Sequence, residues 1–184
     1  MHLKNLNLSI HKNARIIMLT AIISLAVLSF SYYKITSTAF SPDTTEKFFK
    51  VGEEIISEAD TIMTNTLNNY QNNDFSDEAK KEINSELASL KDNKLSKFSN
   101  IRYSNMVNKL NNIISETEKC VKSYTEADSA KDTLYTSLNS NYYTLQTYTS
   151  SYQKSMLDFF RQNNISYVFD QDTDTIHYQF TEEK

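Results

Sequence analysis

The chain has 184 residues and a formal net charge of −4, with one Gly, one Pro, one Cys and no Trp. Strand-rich folds need turn residues roughly every 8–12 positions, so sandwiches and barrels are excluded. Gly-rich phosphate loops cannot be written with Gly52 alone, and one cysteine excludes a disulfide scaffold and a four-cysteine zinc site.

Charge is unevenly placed along the chain. Residues 1–40 hold Lys4, Lys12, Arg15 and Lys34 and no acid, leaving 15 basic against 23 acidic side chains in residues 41–184, a net of −8. So acidic a body is a poor partner for nucleic acid, where Lys and Arg must neutralise phosphate. Residues 1–15 read as a basic cytoplasmic tail. Residues 16–33 are uncharged and apolar apart from small hydroxyls, with Ile16, Leu19, Ile23, Leu25, Val27, Phe30 and Tyr33 spread along the segment. As a helix these 18 residues span roughly 27 Å, enough to cross a hydrocarbon core. Tyr32 and Tyr33 sit where an aromatic belt forms, and Lys12 and Arg15 flank the opposite end, which places the N-terminus in the cytoplasm and the body outside it. The alternative is a signal peptide cleaved after Ser37-Thr38-Ala39, which would release a secreted protein.

Residues 34–43 read as a polar linker, and residues 44–163 as a helical bundle or antiparallel coiled coil. Pro42 and Asp43 open a helix over about 44–72. Its apolar pairs Phe48/Phe49, Ile55/Ile56 and Ile62/Met63, followed by Tyr70, recur every seven residues, with Gly52, Ala59 and Leu67 between. That is a heptad-like seam on which Gly52 and Ala59 permit close approach. Gln71-Asn72-Asn73-Asp74 is a turn. Ser76 caps a second helix of about 77–98, whose first turn carries Asp77 and Glu78. From Ile101 to Phe160 helical spacing runs on without a Gly or Pro. A break near Asp128-Ser129 or Asn139-Ser140-Asn141 folds it into two helices, because Ser and Asn compete with the backbone for hydrogen bonds. After Asn164 the period changes to two, and residues 164–181 read as a β-hairpin around the acidic turn Asp170–Asp174. The fold class is therefore mainly α: a membrane-spanning helix, a helical bundle and a small C-terminal hairpin.

Candidate chemistry is sparse. Asp170, Asp172 and Asp174 match the first three ligand positions of a calcium loop, but Thr175 and Thr181 stand where Gly and Glu are needed. The segment therefore reads as a solvated turn rather than a Ca²⁺ site. His177 is the one histidine of the body and has no Cys or second His nearby to build a zinc site or a nucleophile–base pair. Cys120 falls on an apolar helix face, as a buried thiol or the source of an intermolecular disulfide. Glu53-Glu54 and Glu182-Glu183 read as exposed acids. A hydrolase would need acids converging in a cleft, and no pair is singled out. The reading is no enzyme and no cofactor.

Six of the twelve tyrosines lie between Tyr124 and Tyr152, interleaved with Ser, Thr and Asn. Tyr among small polar residues makes recognition surface at low entropic cost, so Tyr135, Tyr142, Tyr143, Tyr148 and Tyr152 are the candidate interaction residues. A wet core stripe is the competing reading. The composition, rich in Asn, Lys, Ser and Tyr, fits an AT-rich bacterial genome. The functional expectation is a membrane-anchored extracytoplasmic protein acting through protein–protein contact or self-association in the cell envelope. A cleaved, secreted ligand- or surface-binding domain is the alternative.

Overall fold

A computed structural model describes residues 41–92, 95–170 and 175–179. The expected membrane segment 16–33, the cleavage position after Ala39, and Asp172 and Asp174 of the acidic turn lie outside the described residues. Among the described residues, no helix is long and apolar enough to cross a membrane.

The fold is mainly helical. Helix α1 spans Pro42–Gln71, α2 Asp77–Lys91, α3 Ser104–Thr125 and α4 Asp132–Gln162. A 3-10 turn at Leu95–Lys97 separates α2 from α3, and strands β1 (Ser166–Asp170) and β2 (Thr175–Gln179) follow α4. The strands pair antiparallel, with Tyr167 opposite Tyr178, Val168 opposite His177, and Asp170 closing the ladder on Thr175.

Each helix has one apolar stripe. On α1 the buried positions are Thr45, Phe48, Phe49, Gly52, Ile55, Ala59, Ile62, Met63 and Thr66, recurring every three or four residues along one face. This is the spacing that lets a helix bury a continuous stripe against its neighbours. Thr66, inside that stripe, donates its hydroxyl to the Ile62 carbonyl at 2.7 Å, which satisfies its own buried donor. Helix α2 buries Ala79, Ile83, Leu87 and Leu90. It stops seven residues earlier than its apolar residues suggest, because the next one, Leu95, comes five positions after Leu90 and not three or four. The chain leaves the helix to bury Leu95 and to lay the Phe98 ring 5.2 Å from Phe48.

The long helical run after Ile101 is two helices. They meet at residues 126–131, around Asp128-Ser129, while Asn139-Ser140-Asn141 lies inside α4. The two short interhelical loops sit at one end of the bundle and are tied together there. The Tyr124 hydroxyl donates to the Asp74 carbonyl, Lys80 Nζ to the Ala127 carbonyl at 2.7 Å and the Tyr70 hydroxyl to the Lys131 carbonyl at 3.3 Å. The opposite end is aromatic: Phe48 stacks on Tyr103 at 4.5 Å, and Phe49 meets Phe160 edge-on at 4.9 Å. There Tyr178 of β2 lies 5.1 Å from Phe160, so the hairpin docks through one face. Such docking supplies what an isolated two-stranded ribbon lacks in water.

With almost no glycine available, asparagine ends two of the helices. Asn73 and Asn164 adopt positive φ, 53° and 55°. After α1 the Asp74 N–H reaches the Asn69 carbonyl at 2.8 Å and the Asn73 N–H the Tyr70 carbonyl at 3.0 Å. After α4 the Ile165 N–H reaches the Phe160 carbonyl at 2.9 Å. Both ends are Schellman motifs, and Asn is the side-chain-bearing residue that best tolerates their left-handed position. Replacing Asn164 by Ala should therefore cost on the order of 1 kcal/mol, whereas Asn164→Gly should cost nothing. Urea unfolding of the two variants checks this.

Candidate functional site

Helix α4 presents different side chains to three surroundings, and the five candidate tyrosines divide among them. Tyr152 is 1% exposed and therefore belongs to the core rather than to an interaction surface. The reason is Gly52. A Cβ placed on Gly52 would stand 2.1 Å from the Tyr152 hydroxyl oxygen and 2.8 Å from its Cζ, so the missing side chain of α1 is the seat of the Tyr152 ring. The close approach expected at Gly52 is made by an aromatic side chain.

Tyr142 is half-buried on the flank of α4 that faces α1. It lines a groove of about 510 Å³ together with Glu53, Ile56, Asp60, Gln146 and Thr149. Across that groove Gln146 Nε2 donates to Asp60 Oδ1 at 3.2 Å. Two hydroxyls on its lining, Thr149 Oγ1 and Tyr152 Oη, are buried without a hydrogen-bond partner among the described residues. A buried hydroxyl left unpaired ordinarily costs about 1–3 kcal/mol, so each such group calls for a reason. Tyr148 is half-buried and close enough to α3 to act electrostatically on Lys119.

Tyr135 and Tyr143 remain outside, 45% and 71% exposed. With Thr136, Asn139, Ser140, Thr144 and Thr147 they form a shallow concave strip along the outer face of α4. Residues 133–153 contain no Asp, Glu, Lys or Arg, so this face has no charge anywhere along it. Thr136, Thr144 and Thr147 donate their hydroxyls to their own helix at 2.9, 2.9 and 3.0 Å. What they offer outward is therefore mainly methyl groups around the two phenols.

Glu53 and Glu54 are exposed, as expected, while Glu182 and Glu183 lie outside the described residues. Glu53 borders the groove, and the partial desolvation of its carboxyl there, reinforced by Glu54 and opposed by His177, raises its pKa from the usual carboxylate range. His177 is exposed on β2, on the strand face away from the core. Among the described residues no three His, Cys, Asp or Glu side chains gather as a metal-ligand set; the side chain of Asp170 lies outside what the structure describes. Sequence reasoning missed the groove. Its one available signal was Gly52, the smallest residue of a seam built mostly of large ones, which implies a bulky partner across the interface without saying which.

Two predictions follow from the burial here. Gly52→Ala should destabilise the protein by about 1–3 kcal/mol through overpacking. Much less should be lost in the background Tyr152→Leu, where the colliding ring is gone, and a double-mutant cycle by urea unfolding measures the coupling. The second concerns alkaline pH. Burial, aided by Glu116, pushes the Cys120 thiol from 9.0 up to about 12. Burial, with Glu53 and Glu46, pushes the Tyr178 phenol from 10.0 up to about 12. Between roughly pH 9 and 12 the unfolded chain therefore holds fewer protons than the folded one, and stability falls as pH rises through that window. The urea midpoint should decline steadily there, with a later onset in Cys120→Ala, and a thiol reagent should label Cys120 only on unfolding. No protein-family model, curated protein or solved structure matches the chain, so what the molecule does is read from this geometry.

Proposed function

We propose that this chain is a single-pass, membrane-anchored extracytoplasmic protein that works by protein–protein contact, as a structural or assembly component of a cell envelope. The observation that carries the reading is the uncharged outer face of α4, with Tyr135 and Tyr143 exposed among threonine methyls. Interface centres are depleted of charge and enriched in tyrosine. In the body 38 residues are charged, yet α4 sets aside a solvent-facing strip with none.

The anchor half of the proposal rests on residues 16–33, whose length and apolarity suit a span and whose basic flank at Lys12 and Arg15 sets the orientation. The small residues Ser37 and Ala39 support a second reading, in which the same body is cleaved and secreted. Mass spectrometry of the mature N-terminus separates them: Phe40 first means secretion, an intact Met1 region means an anchor.

The exposed phenols favour contact over a hydrolytic role, for which the sequence singles out no pair of acids. Contact is the better reading, and it is directly measurable. A photo-crosslinking residue at position 143 in the native membrane should capture a partner or a second copy. The same probe at Lys81, an exposed position of α2, should not. Tyr135→Ala with Tyr143→Ala should weaken that association by at least about tenfold, since each buried interface tyrosine contributes on the order of 1–2 kcal/mol. Equal capture at 143 and 81, or none at either, would overturn the assignment.

A further inference from the structure

The turn that leads into α3 differs in charge from the rest of the body. Residues 93–115 hold Lys94, Lys97, Arg102 and Lys109 and no acid, whereas the remainder of residues 41–184 carries 11 basic against 23 acidic side chains. Lys109 is engaged inside the bundle, where it donates to the Ser151 carbonyl. Lys97 is exposed and Arg102 half-buried, on either side of Ile101.

Ile101 is itself 64% exposed. One exposed aliphatic side chain is ordinary on a protein surface, but this one stands on a fixed backbone. The Tyr103 N–H donates to the Asn100 carbonyl and the Arg102 N–H to Asn100 Oδ1, both at 3.0 Å. The Ser104 hydroxyl donates to the Ile101 carbonyl at 2.8 Å. Behind the turn Tyr103 is buried, its hydroxyl 2.7 Å from Thr45 Oγ1. An aliphatic side chain is thus presented outward from a pinned turn, next to positive charge.

The position of this turn points to its occupant. The Tyr103–Thr45 contact, and the Phe98 ring on Phe48, set it beside the first turns of α1. Residues 42–50 of α1 hold two acids and two lysines and add no net charge. Helix α1 begins at Pro42, nine residues after Tyr33, the last residue of the proposed span. Nine extended residues reach at most about 30 Å, so the start of α1 is tethered close to the lipid surface.

We propose that the turn 97–102 rests on an anionic lipid surface, with Ile101 among the headgroups, Lys97 on their phosphates and Arg102 adding its charge. The inference rests on the anchored reading of the chain. Because an anchor already confines the body to the membrane, a contact too weak to recruit a free protein is occupied here. One lysine beside an anionic surface is worth about fivefold in that equilibrium.

The test places a polarity-sensitive fluorophore on full-length Ile101→Cys in vesicles of phosphatidylcholine and phosphatidylglycerol that contain a spin-labelled quencher lipid. Cys120 is buried and stays unlabelled in the folded protein. Lys81→Cys, exposed near the start of α2, carries the control fluorophore. The probe at 101 should be blue-shifted and quenched by lipid, and the probe at 81 neither. Lys97→Gln should shift the contact toward water about fivefold, and high salt should release it by screening. Vesicles of phosphatidylcholine alone should leave the probe at 101 in water. Equal signals at 101 and 81, or equal quenching at 101 with and without phosphatidylglycerol, would overturn the inference while the chain still floats with the vesicles. A chain that does not float with them overturns the anchored reading, and this inference with it.

Discussion

The ring of Tyr152 occupies the place where residue 52 would carry a side chain, and much of the molecule is arranged around that contact. It sets how closely α4 can approach α1, because the ring is too large to sit between two ordinary helix surfaces and too buried to swing aside. On one side of it the helices are sealed by Phe49, Phe159 and Phe160, with ring centroids 5.6 and 4.9 Å from Phe49. The hairpin docks on that seal. On the other side the groove runs from Glu53 to Asp60. Interiors are close-packed, so a filled position at Gly52 would propagate in both directions. The protein spends its one glycine here and builds its helix ends from asparagine.

The two ends of the bundle are held by different physics. At the hairpin end the contacts are aromatic, from Phe48 and Tyr103 through Phe160 to Tyr167 and Tyr178, a cluster that combines large apolar area with edge-on geometry. A buried polar contact there, Thr45 Oγ1 with the Tyr103 hydroxyl at 2.7 Å, is internally satisfied. At the loop end, long side chains reach across to backbone carbonyls, as Lys80 does to Ala127 and Tyr124 to Asp74. Loop carbonyls would otherwise need water. These bonds close the two interhelical connections onto each other without requiring turn residues that the sequence does not contain.

Much of this architecture was legible before any coordinates, and the parts that were not share a cause. The seam of α1, the Ser76 cap and the change from helical to alternating period after Asn164 are local patterns, and each depends on residues within a few turns of one another. The end of α2 was misjudged by reading Leu95 and Phe98 into the helix, although the five-residue step from Leu90 broke the spacing. The choice between two candidate breaks after Ile101 turned on tertiary context: Asn139-Ser140-Asn141 is held helical by Leu138 and Leu145 on either side, both buried, while no residue from 126 to 133, around Asp128-Ser129, is buried. The tyrosines were read as one set because their composition is uniform. Their fates differ because successive residues of a helix point about 100° apart, so Tyr142 and Tyr143 face different surroundings. No composition argument separates a groove residue from its exposed neighbour.

Helix α4 is the element where these threads meet. Residues 133–153 are rich in Tyr, Ser, Thr and Asn, which are weak helix formers, and the absence of charge denies them the ion pairs that stabilise exposed helices. Such a segment does not hold a helix by itself. It is held by its buried residues Leu134, Leu138, Leu145 and Tyr152 and by Lys109 of α3, whose ammonium reaches the Ser151 carbonyl at 3.0 Å. An ordinary solvent-facing helix would gain stability from Glu and Lys at the outer positions at no cost to the core. The outer face of α4 instead keeps phenols and methyls, and its inner flank keeps two hydroxyls without partners. Neither departure stabilises the helix; the outer face is open to solvent, whereas the two hydroxyls are buried. A helix whose packing is provided by its neighbours is free to keep an outer face of phenols and methyls that adds nothing to its own stability.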